Sequence, residues 1–133
     1  MSLTVIDKPK IDIDQSILNK LCSQVDEQGQ VVLHFLFKAS IFGGEKIRIW
    51  PTTYLYDNNS EYRAELVHQE NISLAPHWTE LEPSSATYFT LVFNGLPKSC
   101  LSFDFKEHCE GGGAFHAKAI RRNNSDVYFL RIG

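Results

Sequence analysis

From residue 31 to residue 132 the chain is a succession of short runs rich in β-branched and aromatic residues, each closed off by Gly, Pro, Asn or Asp. This spacing constrains the fold more than any other feature. Parallel strands need crossover connections of a dozen residues or more, usually helical, and these runs lie too close together to admit them. A parallel α/β fold is therefore excluded, and the pattern is that of an antiparallel sandwich or barrel.

The first run, residues 31–39, alternates Val31, Leu33, Phe35 and Phe37 with Val32, His34, Leu36 and Lys38. Two largely apolar faces predict a central strand. After Gly43-Gly44, residues 46–50 set Lys46 and Arg48 on one side and Ile47 and Ile49 on the other, until Pro51 interrupts the ladder. Further strands are expected at 53–56, 61–69, 86–94, 101–106, 114–121 and 127–132. Asp57-Asn58-Asn59-Ser60, Gly95-Leu96-Pro97-Lys98 and Asn123-Asn124-Ser125-Asp126 supply turns. Residues 71–85 contain Pro76 and Pro83 and read as a long connection with at most a short strand at Ile72–Leu74.

Before this region the period changes. Ile17, Leu18, Leu21, Cys22 and Val25 recur at helical steps behind Asp14, a fitting N-cap, and Gly29 is a fitting stop. The expectation is a mainly β chain, an antiparallel β-sandwich of about eight strands, with one N-terminal amphipathic helix over about 15–26 lying on an apolar face or open end of the sheet. With 133 residues, 43% of them apolar, the whole of 1–133 is expected to be one domain around one core.

A net charge of −3 argues against nucleic acid, whose phosphates demand a basic face; the one basic pair, Arg121-Arg122, is followed closely by Asp126. Three cysteines, Cys22, Cys100 and Cys109, form no CxxC pair and are expected as reduced thiols. With no secretory leader at the start and no long apolar run, the expectation is a cytoplasmic protein that contacts no membrane, a reading that a trimmed leader would reverse.

Dinucleotide, P-loop, nucleophile-elbow and zincin motifs are all absent from the sequence, so no catalytic residue and no cofactor are assigned. Gly111-Gly112-Gly113 precedes a strand, without the helix N-terminus that makes such a run bind phosphate. Glu107-His108-Cys109-Glu110 and His116 bring metal-capable donors together, and His108, Cys109 and His116 are the metal candidates. Neighbouring residues on a strand point to opposite faces, however, so His108 and Cys109 share an ion only across a bulge. His34 sits on an apolar strand and reads as a hydrogen-bonded core histidine. Asp104, Glu107 and Glu110 read as charges flanking a hairpin, with an acid/base pair as the alternative. The aromatic residues around the middle of the chain, Trp50, Tyr54, Tyr56 and Trp78 with Tyr62, are the ligand-binding candidates, since such rings stack on sugars or anchor partners when exposed and merely pack when buried.

Three stretches resemble an uncharacterised family of small bacterial β-rich proteins: residues 47–55 (Ile-Arg-Ile-Trp-Pro-Thr-Thr-Tyr-Leu), residues 89–105 with Gly95-Leu96-Pro97-Lys98-Ser99-Cys100 and Phe103-Asp104-Phe105, and Ile120-Arg121-Arg122-Asn123 with Asp126-Val127-Tyr128. The resemblance spans residues 46–132 and implies a β-sandwich with no assigned activity. A fainter similarity is to β-rich domains that precede thioredoxin-like domains, without a redox motif here. The functional expectation is a non-enzymatic binding or interaction module, partnered by another protein or by itself through an edge strand. A hydrolase or metal enzyme built on the His108–His116 hairpin and a carbohydrate-binding domain are the alternatives.

Overall fold

The computed structural model describes residues 3–6, 29–110 and 113–132; the helix expected over 15–26 lies outside them. The described residues form ten strands: β1 (Leu3–Ile6), β2 (Val31–Lys38), β3 (Lys46–Ile47), β4 (Thr53–Asp57), β5 (Arg63–Glu70), β6 (Thr79–Glu80), β7 (Ala86–Phe93), β8 (Ser102–Glu107), β9 (His116–Arg121) and β10 (Val127–Ile132). Among the described residues there is no helix, hence none long and apolar enough to cross a membrane.

Eight strands join one sheet in the order β1-β10-β2-β7-β5-β4-β8-β9, and its two end strands, β1 and β9, approach each other. The architecture is a nearly closed, barrel-like sheet, where two separate layers were expected. β5 makes the difference, since it pairs with both β7 and β4 and so ties together what would be the two halves of a sandwich. Bulges give the sheet its curl. Between Leu66 and His68 the strand β5 carries one residue more than β7, and Val67 and His68 both face outward before Gln69 turns in again. β9 carries an extra residue opposite Phe103–Phe105, where Ala119 takes a positive φ of 52° and donates its amide to Asp104. The ladder is also not wholly antiparallel, because β10 runs parallel to β2.

β2 is central, as its two apolar faces predict, with β10 on one side and β7 on the other. Its Val31, Leu33, Phe35 and Phe37 point inward, where Phe35 stacks on Phe89 at 4.8 Å and Phe93 meets Phe105 edge-on at 6.2 Å. The opposite face is buried too: Val32, Val92 and Val127 cluster with Phe129. His34 lies in that outer layer, 4% exposed, stacked on Phe129 with Nδ1 2.7 Å from the Thr90 hydroxyl. Burial alone pushes its pKa down to about 4.

Turn chemistry follows the sequence closely. Asp57 accepts the Asn59 amide and the Ser60 hydroxyl, and Asn123 accepts the amides of Ser125 and Asp126. Arg122 is a structural clamp and not a solvated charge. It pairs with Asp126 through Nε at 2.5 Å and Nη2 at 2.9 Å while Nη1 donates to the Pro97 carbonyl at 2.8 Å, which fastens the β9–β10 turn to the 94–101 connection. The strand β10 is an interior strand with both backbone edges paired, so among the described residues the outermost strands of this sheet are β1 and β9.

Candidate functional site

The strand pattern around residues 46–50 sets up the site. Period two puts Ile47 and Ile49 into the core at 2% and 0% exposure and leaves Lys46, Arg48 and Trp50 together on the other side. The long connection after β5 folds back over this segment. Ile49 donates to the Ser73 carbonyl and accepts from the Ala75 amide, each at 2.9 Å, and β3 pairs with β6 so that Lys46 faces Glu80 and Ile47 faces Thr79. One step further along the same antiparallel register, Arg48 meets Trp78.

The result is a guanidinium between two indoles. Arg48 lies 3.8 Å from the centre of the Trp78 ring and 5.2 Å from that of Trp50, and the Lys46 ammonium lies 4.7 Å from Trp78. Nη1 of Arg48 also donates to the Pro76 carbonyl at 3.2 Å. These groups border a cleft of about 210 Å³, whose other walls are the end of β8 and the connection that leads to β9: Glu107, Cys109, Glu110 and Phe115.

Glu107 holds the two sides of the cleft together. Its side chain is buried, one oxygen accepting the Trp50 amide at 2.9 Å and the other the Phe115 amide at 3.0 Å. Burial pushes its carboxyl above the usual range, against the pull of those two amides and of the Arg48 charge. Burial likewise raises the Cys109 thiol, and the Glu107 charge adds to the effect while Arg48 opposes it. Both Glu107 oxygens are thus engaged by backbone amides, and the raised Cys109 thiol disfavours the nucleophilic thiolate.

The four ligand-binding candidates divide between two surfaces. Trp50 and Trp78 meet in the cleft; Tyr54 and Tyr56 stand on the outer wall of β4, alternating with the buried Thr53, Leu55 and Asp57. There the Tyr56 hydroxyl lies 2.6 Å from His108 Nε2, Tyr54 packs 5.9 Å from the same imidazole, and Arg63 covers the Tyr54 ring at 4.1 Å. Tyr62 is spent on a hydrogen bond to the Gly95 carbonyl. Of the metal candidates, Cys109 lines the cleft, His108 joins the tyrosines, and His116 stands opposite Lys106 on β9. The three donors do not converge, and among the described residues no cluster of three metal-capable side chains occurs.

Sequence reading singled out the tryptophans but not Lys46 and Arg48 as their companions. The signal was present in Lys46-x-Arg48-x-Trp50, which alternation places on one face; what was missing was the β3–β6 register that delivers Trp78. It also passed over Ile41 and Phe42, 73% and 89% exposed at the β2–β3 turn, which is braced by the Glu45 carboxylate on the Ser40 amide and by the Ser84 amide on the Ser40 carbonyl. No protein-family model, curated protein or solved structure matches the chain, so the site is read from its own geometry.

Proposed function

We propose that the chain is a non-enzymatic binding module and that the Trp50–Arg48–Trp78 cleft is its binding site. The observation that carries the reading is the convergence of both indoles and two cations on one open cleft. Of the groups there with acid–base or nucleophilic character, Glu107 is held by two backbone amides and the Cys109 thiol is raised in pKa. Pockets for drug-sized molecules run from about 300 Å³ upward. The present cleft is smaller, which suits a compact molecule or a single protruding group of a partner protein.

The chain has only two tryptophans and both border this cleft, so their emission reports on it alone. A library of small polar and aromatic compounds is to be screened by tryptophan emission, with alkylation of Cys109 followed by peptide mass spectrometry as the second readout. Binding at the cleft shifts the emission saturably and slows alkylation of Cys109. A library that moves neither readout refutes the assignment. A neutral saccharide that moves both would identify the module as carbohydrate-binding through Trp78, with Tyr54 and Tyr56 taking no part.

A further inference from the structure

Resting on the cleft as a binding site, we infer that its ligand is a small organic anion with a flat apolar body, of the aromatic carboxylate class. Two independent observations point there. The first is the state of the cations: among the described residues the ion pairs are His68–Glu70 and Arg122–Asp126, so neither Lys46 nor Arg48 has a carboxylate within ion-pair distance. Two cations lie against one indole, and among the described residues Arg48 hydrogen-bonds the Pro76 carbonyl through one of its terminal nitrogens, while the Glu107 charge acts on it from beyond ion-pair distance. The guanidinium's remaining donors suit the planar, two-oxygen geometry of a carboxylate.

The second observation is the wall opposite. Glu107, whose carboxyl feels the Arg48 charge, has both oxygens engaged by the Trp50 and Phe115 amides, and this bonding fixes it in the wall of the cleft. The partly exposed indoles supply apolar surface for a ring, in a cleft also lined by the buried Phe115. Glu110, at the same cleft, disfavours a ligand with several negative charges, and the cleft's volume of about 210 Å³ disfavours a long one. One ring with one carboxylate meets all these conditions. A ring without charge forgoes the cations, and a small anion without a ring forgoes the indoles.

The test is a comparison of benzoate, benzyl alcohol and acetate by tryptophan emission and by calorimetry on the full chain, at two salt concentrations. Benzoate is expected to bind saturably and at least tenfold more tightly than either partial analogue, and to weaken as salt is raised. Arg48→Gln is expected to weaken benzoate about tenfold or more while leaving benzyl alcohol unchanged, and Lys46→Gln to act in the same direction less strongly. Circular dichroism of each variant reports folding, and Lys46, exposed on its strand, tests the charge even if Arg48→Gln loosens the loop. Equal binding of benzyl alcohol, or of acetate, overturns the inference on ligand class. If compounds outside this class bind at the cleft and benzoate does not, the class is wrong and the binding site stands; if nothing binds there, both fall.

Discussion

His34 gives the fold a pH dependence that can be calculated before it is measured. The imidazole is 4% exposed, and the cavity beside it is bordered, among the described residues, by Ile6, Phe35, Leu36, Tyr88, Phe129 and Leu130, none of them charged at neutral pH. Its pKa of about 4 in the folded protein compares with about 6.5 for an unfolded chain. The unfolded state therefore takes up a proton first as pH falls, so stability declines between about pH 6.5 and pH 4 and is restored as pH rises through that window. At pH 5.5 the unfolded chain binds about 0.9 proton at this site and the folded chain almost none, a slope of about 1.2 kcal/mol per pH unit. Over the full 2.5-unit gap the loss is about 3 kcal/mol, a large share of the stability of a domain this size. The assay is urea denaturation of the wild type and of His34→Gln, which keeps a polar group for Thr90, at half-unit steps from pH 4.5 to 7.5. Subtracting the two curves cancels the other titrating groups. A difference that stays flat across pH 5 to 6.5, or a His34 ring proton whose NMR shift titrates near pH 6.5, would refute the reasoning.

Other substitutions test separate parts of the account. Glu107→Ala leaves the Trp50 and Phe115 amides without their acceptor, so a loss of about 2–5 kcal/mol and a red shift of tryptophan emission are expected from denaturation and fluorescence. Phe35→Ala removes a ring that is 1% exposed and stacked on Phe89, at an expected cost of about 3–5 kcal/mol in the same denaturation assay. Phe42→Ser, at an 89% exposed tip, should leave stability within about 0.5 kcal/mol in the same denaturation assay.

What could be read from the sequence follows from the range of each interaction. Period-two alternation and Asn/Asp turn chemistry are local, and they placed β2, β4, β7, β8 and β10 within a residue or two and identified β2 as central. The alternation over 46–50 marked the segment that holds β3, whereas the two-residue β6 was not visible, because it is held by a partner more than 30 positions away and not by its own composition. Closure of the sheet depended on the bulge at Leu66–His68, and a single extra residue there has no signature in the alternation of Leu66, Val67 and His68. The parallel pairing of β10 with β2 joins segments about 95 positions apart, a contact that neither announces. At the site, the spread of candidates over two surfaces has the same origin: Pro51 breaks the strand between Trp50 and Tyr54, so sequence proximity there is not proximity of faces.

The most direct test of the central claim is an NMR titration of the uniformly labelled protein, following the two indole N–H signals and the backbone amides as compounds are added. With the cleft as the binding site, saturable shifts are expected of both indole signals together with the amides of Arg48 and Cys109, while the amides around Tyr54, Tyr56 and His34 stay in place. Shifts centred on the Tyr54–Tyr56 wall, or indole signals that no compound moves, would contradict it.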